Sequence, residues 1–315
     1  MTDRSMTTHD YASLALVDLS YLFTRNYRGA GVGASPNAAA LRTLEECEAI
    51  RGDVSHTIIA LDAPPYRRRD KFEQYKANRE EKPPEERMQL RSLVKELRRR
   101  GFRTAHAVGY EADDIIATLA KAYAEWCADV RIVCPDKDAA QCVTERVVQF
   151  IPSFGNTPAE RRDVAGVKKK FGVWPTSMPL YQALMGDSSD NVPGVPGVGP
   201  KRARDLIALE IEPHGRLATL TTLAELLATG DKVGIMWKSI AEHWEDLRMS
   251  LDLVTLETDA PVDVEDLLLP HQPEPKQTEP HEADIPSGVE LDGFVGNTTP
   301  VTVEAPPLVT RSGSP

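Results

Sequence analysis

The chain has 315 residues, more than one average domain and too few for several large ones, and its formal charge of −11 argues at first against nucleic acid as a partner. That average misleads, because residues 261–315 hold ten acids against Lys276 and Arg311, net −8, which leaves −3 for residues 1–260. No apolar run approaches the roughly 18 residues of a membrane span, residues 1–12 read as a polar, flexible start, and Cys47, Cys127, Cys134 and Cys142 show neither a CxxC pair nor zinc-like spacing. Secretion, membrane insertion and a structural zinc site are thereby disfavoured, and the chain reads as a cytoplasmic protein with reduced thiols.

The first apolar run, Leu14 to Val17, ends in Asp18; the second, Thr57 to Leu61, ends in Asp62. A third, Val130 to Cys134, runs into Pro135, Asp136, Lys137 and Asp138. Short apolar runs separated by helical segments predict parallel strands covered on both faces. Ligands of such sheets bind beyond the carboxyl ends of the strands, and each run delivers an aspartate there. One strand ending in Asp is ordinary turn chemistry. Three of them are costly together unless a cation sits among them.

Between Asp62 and the next acidic stretch the texture is basic. Tyr66 to Arg69 and Tyr75 to Arg79 precede Pro83 and Pro84, which predict a break before a new helix. That helix carries Arg87, Arg91, Lys95 and Arg98 on one face and Leu90, Leu93, Val94 and Leu97 on another. The cationic face suits phosphate contact, although a solvated helix surface has the same pattern.

Glu111, Ala112, Asp113 and Asp114 then open a helix whose apolar positions are Ile115, Ile116, Leu119, Ala120 and Tyr123. Acids in a first helical turn complement the macrodipole, yet three within four residues exceed what a cap requires. If these three, Asp18, Asp62, Asp136, Asp138 and the Asp187 and Asp190 that follow, nine in all, are metal ligands, the remainder of residues 1–260 is net +6, which is compatible with a polyanion.

After a short strand over Val147–Ile151 comes Gly186-Asp187-Ser188-Ser189-Asp190-Asn191, running into Pro193-Gly194-Val195-Pro196-Gly197-Val198-Gly199-Pro200-Lys201-Arg202. Asp187 and Asp190 are spaced to face one cation. Gly194, Gly197 and Gly199 allow close backbone approach to a ligand, and Pro200 suits the first turn of a helix with Lys201 and Arg202 beside it. Leu217 to Leu227 and Trp237 to Leu247 read as further helices whose tryptophans are core. The Pro-rich acidic segment 261–315 has the composition of a disordered tail.

With these motifs in order, the sequence resembles the 5′-to-3′ exonuclease and flap endonuclease family, from about Leu14 to Trp244. The resemblance implies an α/β fold: a PIN-like nuclease core with a central, mostly parallel sheet over residues 13–185, a helical arch at about 76–100, and a helix–three-turn–helix, helix-hairpin-helix-like DNA-binding module over 186–260. It implies two divalent ions, Mg²⁺ or Mn²⁺. Asp18, Asp62, Glu111, Asp113 and Asp114 would surround one, and Asp136, Asp138, Asp187 and Asp190 the other. Lys76 and Arg79 would contact the scissile phosphate and act with Asp18, Asp114 and Asp138 in catalysis. Arg25, Tyr75, Arg87, Arg91, Gly194, Gly197, Gly199, Lys201 and Arg202 would bind DNA, with a K⁺ ion on the hairpin carbonyls. The implied activity is hydrolysis at 5′ ends, flaps or nicks of DNA, extending to RNA–DNA primers, by a stand-alone monomer whose tail is free for a protein partner. A non-catalytic branched-DNA binder and a PIN-type ribonuclease are the alternatives.

Overall fold

The computed structural model describes residues 11–29, 37–212, 218–232 and 234–268. Of the expected flexible start at 1–12, residues 1–10 lie outside the described residues and 11–12 belong to the first strand; the position of Leu217 and the acidic tail from 269 onward also lie outside them.

Six strands form one sheet: β1 (Tyr11–Asp18), β2 (His56–Ala60), β3 (Arg103–Ala105), β4 (Cys127–Val133), β5 (Val147–Ile151) and β6 (Glu160–Arg162). Their order is β3-β2-β1-β4-β5-β6, parallel throughout except for the β5–β6 pair. The apolar runs ending in Asp are the central strands. β3 and β6 were not anticipated, because three residues are too few to show a period of two.

Alternation along β1 explains the layers. Leu14 and Leu16 pack on one side with Ile115, Ile116 and Leu119 of α5 (Ala112–Tyr123). Ala15 and Val17 pack on the other with Leu22 and Phe23 of α1 (Leu19–Gly29), Leu44 of α2 (Ala38–Gly52) and Leu93 and Leu97 further along the chain. All four β1 residues are fully buried, and each such aliphatic side chain larger than alanine contributes about 1.5–3 kcal/mol to folding.

The one-turn α3 (Arg68–Lys71) follows β2, and α4 (Pro84–Arg99) begins at the predicted proline break. Arg87, Arg91 and Lys95 on α4 are exposed while Leu93 and Leu97 are buried, so its charged and apolar faces divide as the spacing predicts. The second half of α4 is thus a wall of the core.

The chain leaves β1 toward β2 on one side and returns to β4 on the other. This is a topological switch point, where the carboxyl ends of adjacent strands open a crevice. Asp18 ends β1 there, beside the segment that leaves β4.

The helical part comprises α6 (Val164–Phe171), α7 (Met178–Met185), α8 (Pro200–Leu206), α9 (Leu220–Ala228), α10 (Ile235–Glu242) and α11 (Trp244–Val254). Leu184, Leu206, Leu223, Trp237, Ile240 and Leu247 share its core, so Trp237 packs as the spacing suggests. Before α8 the backbones of Gly186 and Gly194 touch. A Cβ at Gly194, whose φ is +81°, would lie 2.5 Å from the Gly186 amide nitrogen. This glycine is required by the protein's own backbone, a constraint separate from any ligand.

The composition-based tail boundary at Pro261 needs correction. α12 (Val264–Leu268) belongs to the fold: Leu267 is buried with Tyr123 and Ile116, and Asp266 pairs with Arg103 at 2.9 Å. Val264 and Leu267, three residues apart, supply the apolar stripe that the surrounding acids and prolines concealed. Among the described residues no helix is long and apolar enough to cross a membrane.

Candidate metal centre

Glu111 holds extended backbone at φ −88° and lets α5 begin at Ala112, aiming the helix start at the crevice. The acids gathered there fall into three groups.

The first group faces inward. Asp18 accepts the Tyr21 amide at 2.9 Å, and Asp62 is fixed by Ser20 Oγ at 2.6 Å and the Ala112 amide at 3.0 Å. Asp113 Oδ1 is shielded from solvent with no hydrogen-bond partner. One ligand atom each from Asp18, Asp113 and Cys134 lie within 4.8 Å of one another. Burial, reinforced by Asp62, pushes the Asp18 carboxyl up to about 6. Burial together with Asp18, Asp136 and Asp138 pushes Asp113 well above the ordinary carboxylate range. Asp138, buried and beside Asp136, rises to about 7 although Lys137 and Gln182 oppose the shift. Acids that hold protons this strongly are short of positive charge.

The second group is already neutralised. Arg68, 4% exposed, donates to both oxygens of Asp114 at 2.6 Å and to Glu111 at 3.0 Å. Asp114 also accepts the amides of Glu257 at 2.9 Å and Glu111 at 3.2 Å. Its lone pairs are thereby used. Glu111 accepts Tyr75 Oη at 2.8 Å and Lys76 Nζ as well. Of the acidic pair, Asp113 joins the cluster and Asp114 anchors the helix.

The third group meets the lysines and Arg79. Asp187 pairs with Lys137 at 2.5 Å and accepts both the amide and Oγ of Ser189. Burial alone would raise its carboxyl, but these hydrogen bonds hold it below the ordinary value. Asp190 contacts Arg79 and lies 3.7 Å from Lys76. Lys76 sits in the left-handed region at φ +55°, a strained conformation for a side chain with a Cβ. Burial would lower the Lys76 ammonium, yet Glu111 and Asp190 keep it raised and charged.

Other expected DNA contacts are more dispersed. Arg25 pairs with Glu46 and lies 4.8 Å above the Phe154 ring, with Nε and Nη1 shielded and unpartnered. Arg87, Arg91, Lys201 and Arg202 are exposed, and Arg202 donates to the Gly197 carbonyl at 2.7 Å. Gly199 needs no special conformation, with φ −85° and open space around its Cα. Tyr75, expected among the DNA contacts, is 4% exposed, packs in the core of the helical part and donates its hydroxyl to Glu111.

Arg68, Gln182 and Cys134 escaped the sequence reading. Arg68 lies in a run of three arginines that gives no sign which one turns inward. Gln182, fully buried on α7 and donating to Asp138, was signalled only as a polar residue within an apolar helix. Cys134 has no disulfide and abuts Asp18, two residues before Asp136.

Hard carboxylate oxygens, one of them buried without a partner, suit a hard divalent cation. The family model described as 5′-3′ exonuclease, N-terminal resolvase-like domain, matches residues 13–172, and that described as 5′-3′ exonuclease, C-terminal SAM fold, matches 173–276. DNA polymerase I of Pseudomonas aeruginosa is 40% identical over 209 residues, 64% of this chain and 22% of that protein, so the chain spans about a fifth of that relative. A 5′-3′ exonuclease of Aquifex aeolicus is 33% identical over 210 residues, 66% of this chain and 67% of its own length. The structure of a bacteriophage T5 flap endonuclease, in a pseudo-enzyme-product complex with DNA and metal ions, superposes with a TM-score of 0.62. It covers 78% of this chain and 90% of that one at 23% identity, a likeness of fold. Matched by both halves of the family's description, this chain belongs to the 5′-3′ exonuclease family.

Proposed function

We propose that the chain is a metal-dependent 5′-to-3′ nuclease that hydrolyses phosphodiester bonds at 5′ ends, flaps or nicks of DNA. The observation that carries this reading is the convergence of Asp18, Asp62, Asp113, Asp136 and Asp138 at the switch point, with Lys76 and Arg79 close by. The structure of the T5 flap endonuclease, a pseudo-enzyme-product complex with DNA and metal ions, supports it.

In this reading Asp18, Asp62 and Asp113 would hold one divalent ion. Asp136 and Asp138 would hold a second, with Asp187 and Asp190 acting through water. Mg²⁺ or Mn²⁺ is the ion class that such oxygens prefer. Divalent ions held there would supply positive charge to the phosphate and an activated water at neutral pH.

The chain's own residues do the rest. Gln182 orients Asp138. Glu111, tied by Arg68 and Tyr75, keeps the Lys76 ammonium at the edge of the cluster. Lys76 and Arg79 bind the scissile phosphate and offset charge growing on its oxygens, which a ring of carboxylates cannot do alone. The exposed Arg87, Arg91, Lys201 and Arg202 hold the DNA backbone without reading base sequence. A K⁺ ion on the hairpin would use its backbone carbonyls, of which that of Gly197 also accepts Arg202. RNA–DNA primers are included as substrates, since phosphate contacts do not distinguish the two.

A 5′-labelled flap incubated with Mg²⁺ tests the proposal, with product lengths read at nucleotide resolution. Cleavage near the junction that Asp136→Ala with Asp138→Ala abolishes is the expected result. An inert protein that binds flaps tightly would favour a branched-DNA binder instead, and preference for a matched RNA flap would favour a ribonuclease.

A further inference from the structure

Both ladders of β4 end at Val133, so the segment from Cys134 to Asp138 lies beyond the backbone pairing of the sheet. Gln149, fully buried on β5, reaches past that end. Its Nε2 donates to the carbonyls of Cys134 at 2.8 Å and Asp136 at 2.6 Å, which uses both amide hydrogens. Arg162, its cross-strand partner on β6, is 5% exposed and donates to Gln149 Oε1 at 2.7 Å. A flipped amide would set Nε2 against the guanidinium and Oε1 against two carbonyls, so Arg162 fixes the direction in which Gln149 donates. Glu160 in turn accepts Nε and Nη2 of the same guanidinium at 2.9 and 2.8 Å. A buried amide costs stability unless its polar atoms are partnered. Here all of them are, and the partners lie on the loop that carries Asp136 and Asp138.

We propose that Gln149 is a positioning residue for the loop bearing Asp136 and Asp138, and that Arg162 orients it. Asp136 repels Asp18, Asp113 and Asp138 in the ion-free protein, which favours an outward swing of its loop. Gln182 restrains the Asp138 side chain, whereas Gln149 restrains the backbone on which both acids sit. A divalent ion then meets carboxylates already in place and does not have to order them. The inference rests on the reading of Asp136 and Asp138 as metal ligands.

The test is Mn²⁺ titration of the ion-free full chain, read by magnetic resonance of the free ion, with a melting curve for each variant. Gln149→Met, similar in volume but without the donors, should weaken Mn²⁺ binding by roughly tenfold or more while the protein stays folded. Arg162→Met leaves the amide free to flip and should weaken binding in the same direction. Gln149→Met combined with Arg162→Met should bind no more weakly than Gln149→Met alone, because Arg162 acts through Gln149. Ile240→Val, in the core of the helical part, controls for a general loss of stability and should bind as the wild type does. Binding within about twofold of wild type in folded Gln149→Met, or equal weakening in Ile240→Val, overturns the proposal and leaves the nuclease reading standing. Additive losses in the double variant overturn the role of Arg162. Should Gln149→Met fail to fold, Arg162→Met decides, and undiminished binding there overturns the proposal. A wild type that binds no Mn²⁺ removes both this inference and the nuclease reading.

Discussion

Arg68→Ala should be among the most destabilising single changes in the protein. The guanidinium is 4% exposed and makes three hydrogen bonds to Asp114 and Glu111, plus two to the carbonyls of Leu253 at 2.9 Å and Thr255 at 3.2 Å. It thereby joins the start of α5 to the end of α11. Truncation leaves Asp114, 1% exposed, with two backbone amides but no counter-charge. Breaking a buried pair by removing one partner costs about 3–5 kcal/mol. For a domain of this size that corresponds to a fall in melting temperature of roughly 10 °C. Urea unfolding of wild type, Arg68→Ala, Asp114→Ala and the double variant reads the coupling. The double variant should be less destabilised than the sum of the singles, because neither charge is then left alone. A loss below about 1 kcal/mol for Arg68→Ala, the range of surface ion pairs, would refute the reasoning.

Stability of the ion-free protein should depend on pH in a defined direction. The fold raises Asp18 to about 6 from its ordinary 3.8, so the fold favours its protonated form. Its contribution is intact below pH 4 and is lost as pH rises through 6, by about 3 kcal/mol once the group is ionised. Asp138, raised to about 7, acts in the same direction. Urea midpoints at pH 5 and 8 in chelator should show this loss, and Mg²⁺ or Mn²⁺ should reverse it at pH 8. Gly194→Ala should cost about 2 kcal/mol or more in thermal unfolding, since φ +81° alone is worth about 1–2 kcal/mol to an L-residue and its Cβ would meet the Gly186 backbone. Lys76→Met and Arg79→Ala should each lower kcat on a 5′ flap by roughly 100-fold or more, as for loss of a transition-state donor, with a smaller effect on KM.

The frame of the fold was legible because β1, β2 and β4 are apolar runs buried on both faces, each followed by an aspartate at the edge where ligands of parallel sheets collect. Which acid of a pair faces the crevice was not legible. Asp113 and Asp114 are consecutive residues of one helix, about 100° apart around its axis, and only the position of Arg68 decides that Asp114 turns to the core. Tyr75 shows the same limit, since a tyrosine that contacts DNA and one whose buried hydroxyl meets Glu111 look the same in the sequence. α12 was hidden by proline and acid content around two apolar residues that pack against the sheet layer. Cys134 read as an ordinary buried thiol until strand register set it beside Asp18.

The central claim is that a particular set of carboxylates, Asp113 among them and Asp114 not, forms the divalent-metal centre. Titration of Mn²⁺ into ion-free Asp113→Asn and Asp114→Asn, with binding read by magnetic resonance of the free ion, tests it most directly. Asp113→Asn should lose high-affinity Mn²⁺ binding while keeping its fold, and Asp114→Asn should keep binding while losing stability. Equal loss of binding in both variants, or undiminished binding in Asp113→Asn, would contradict the account.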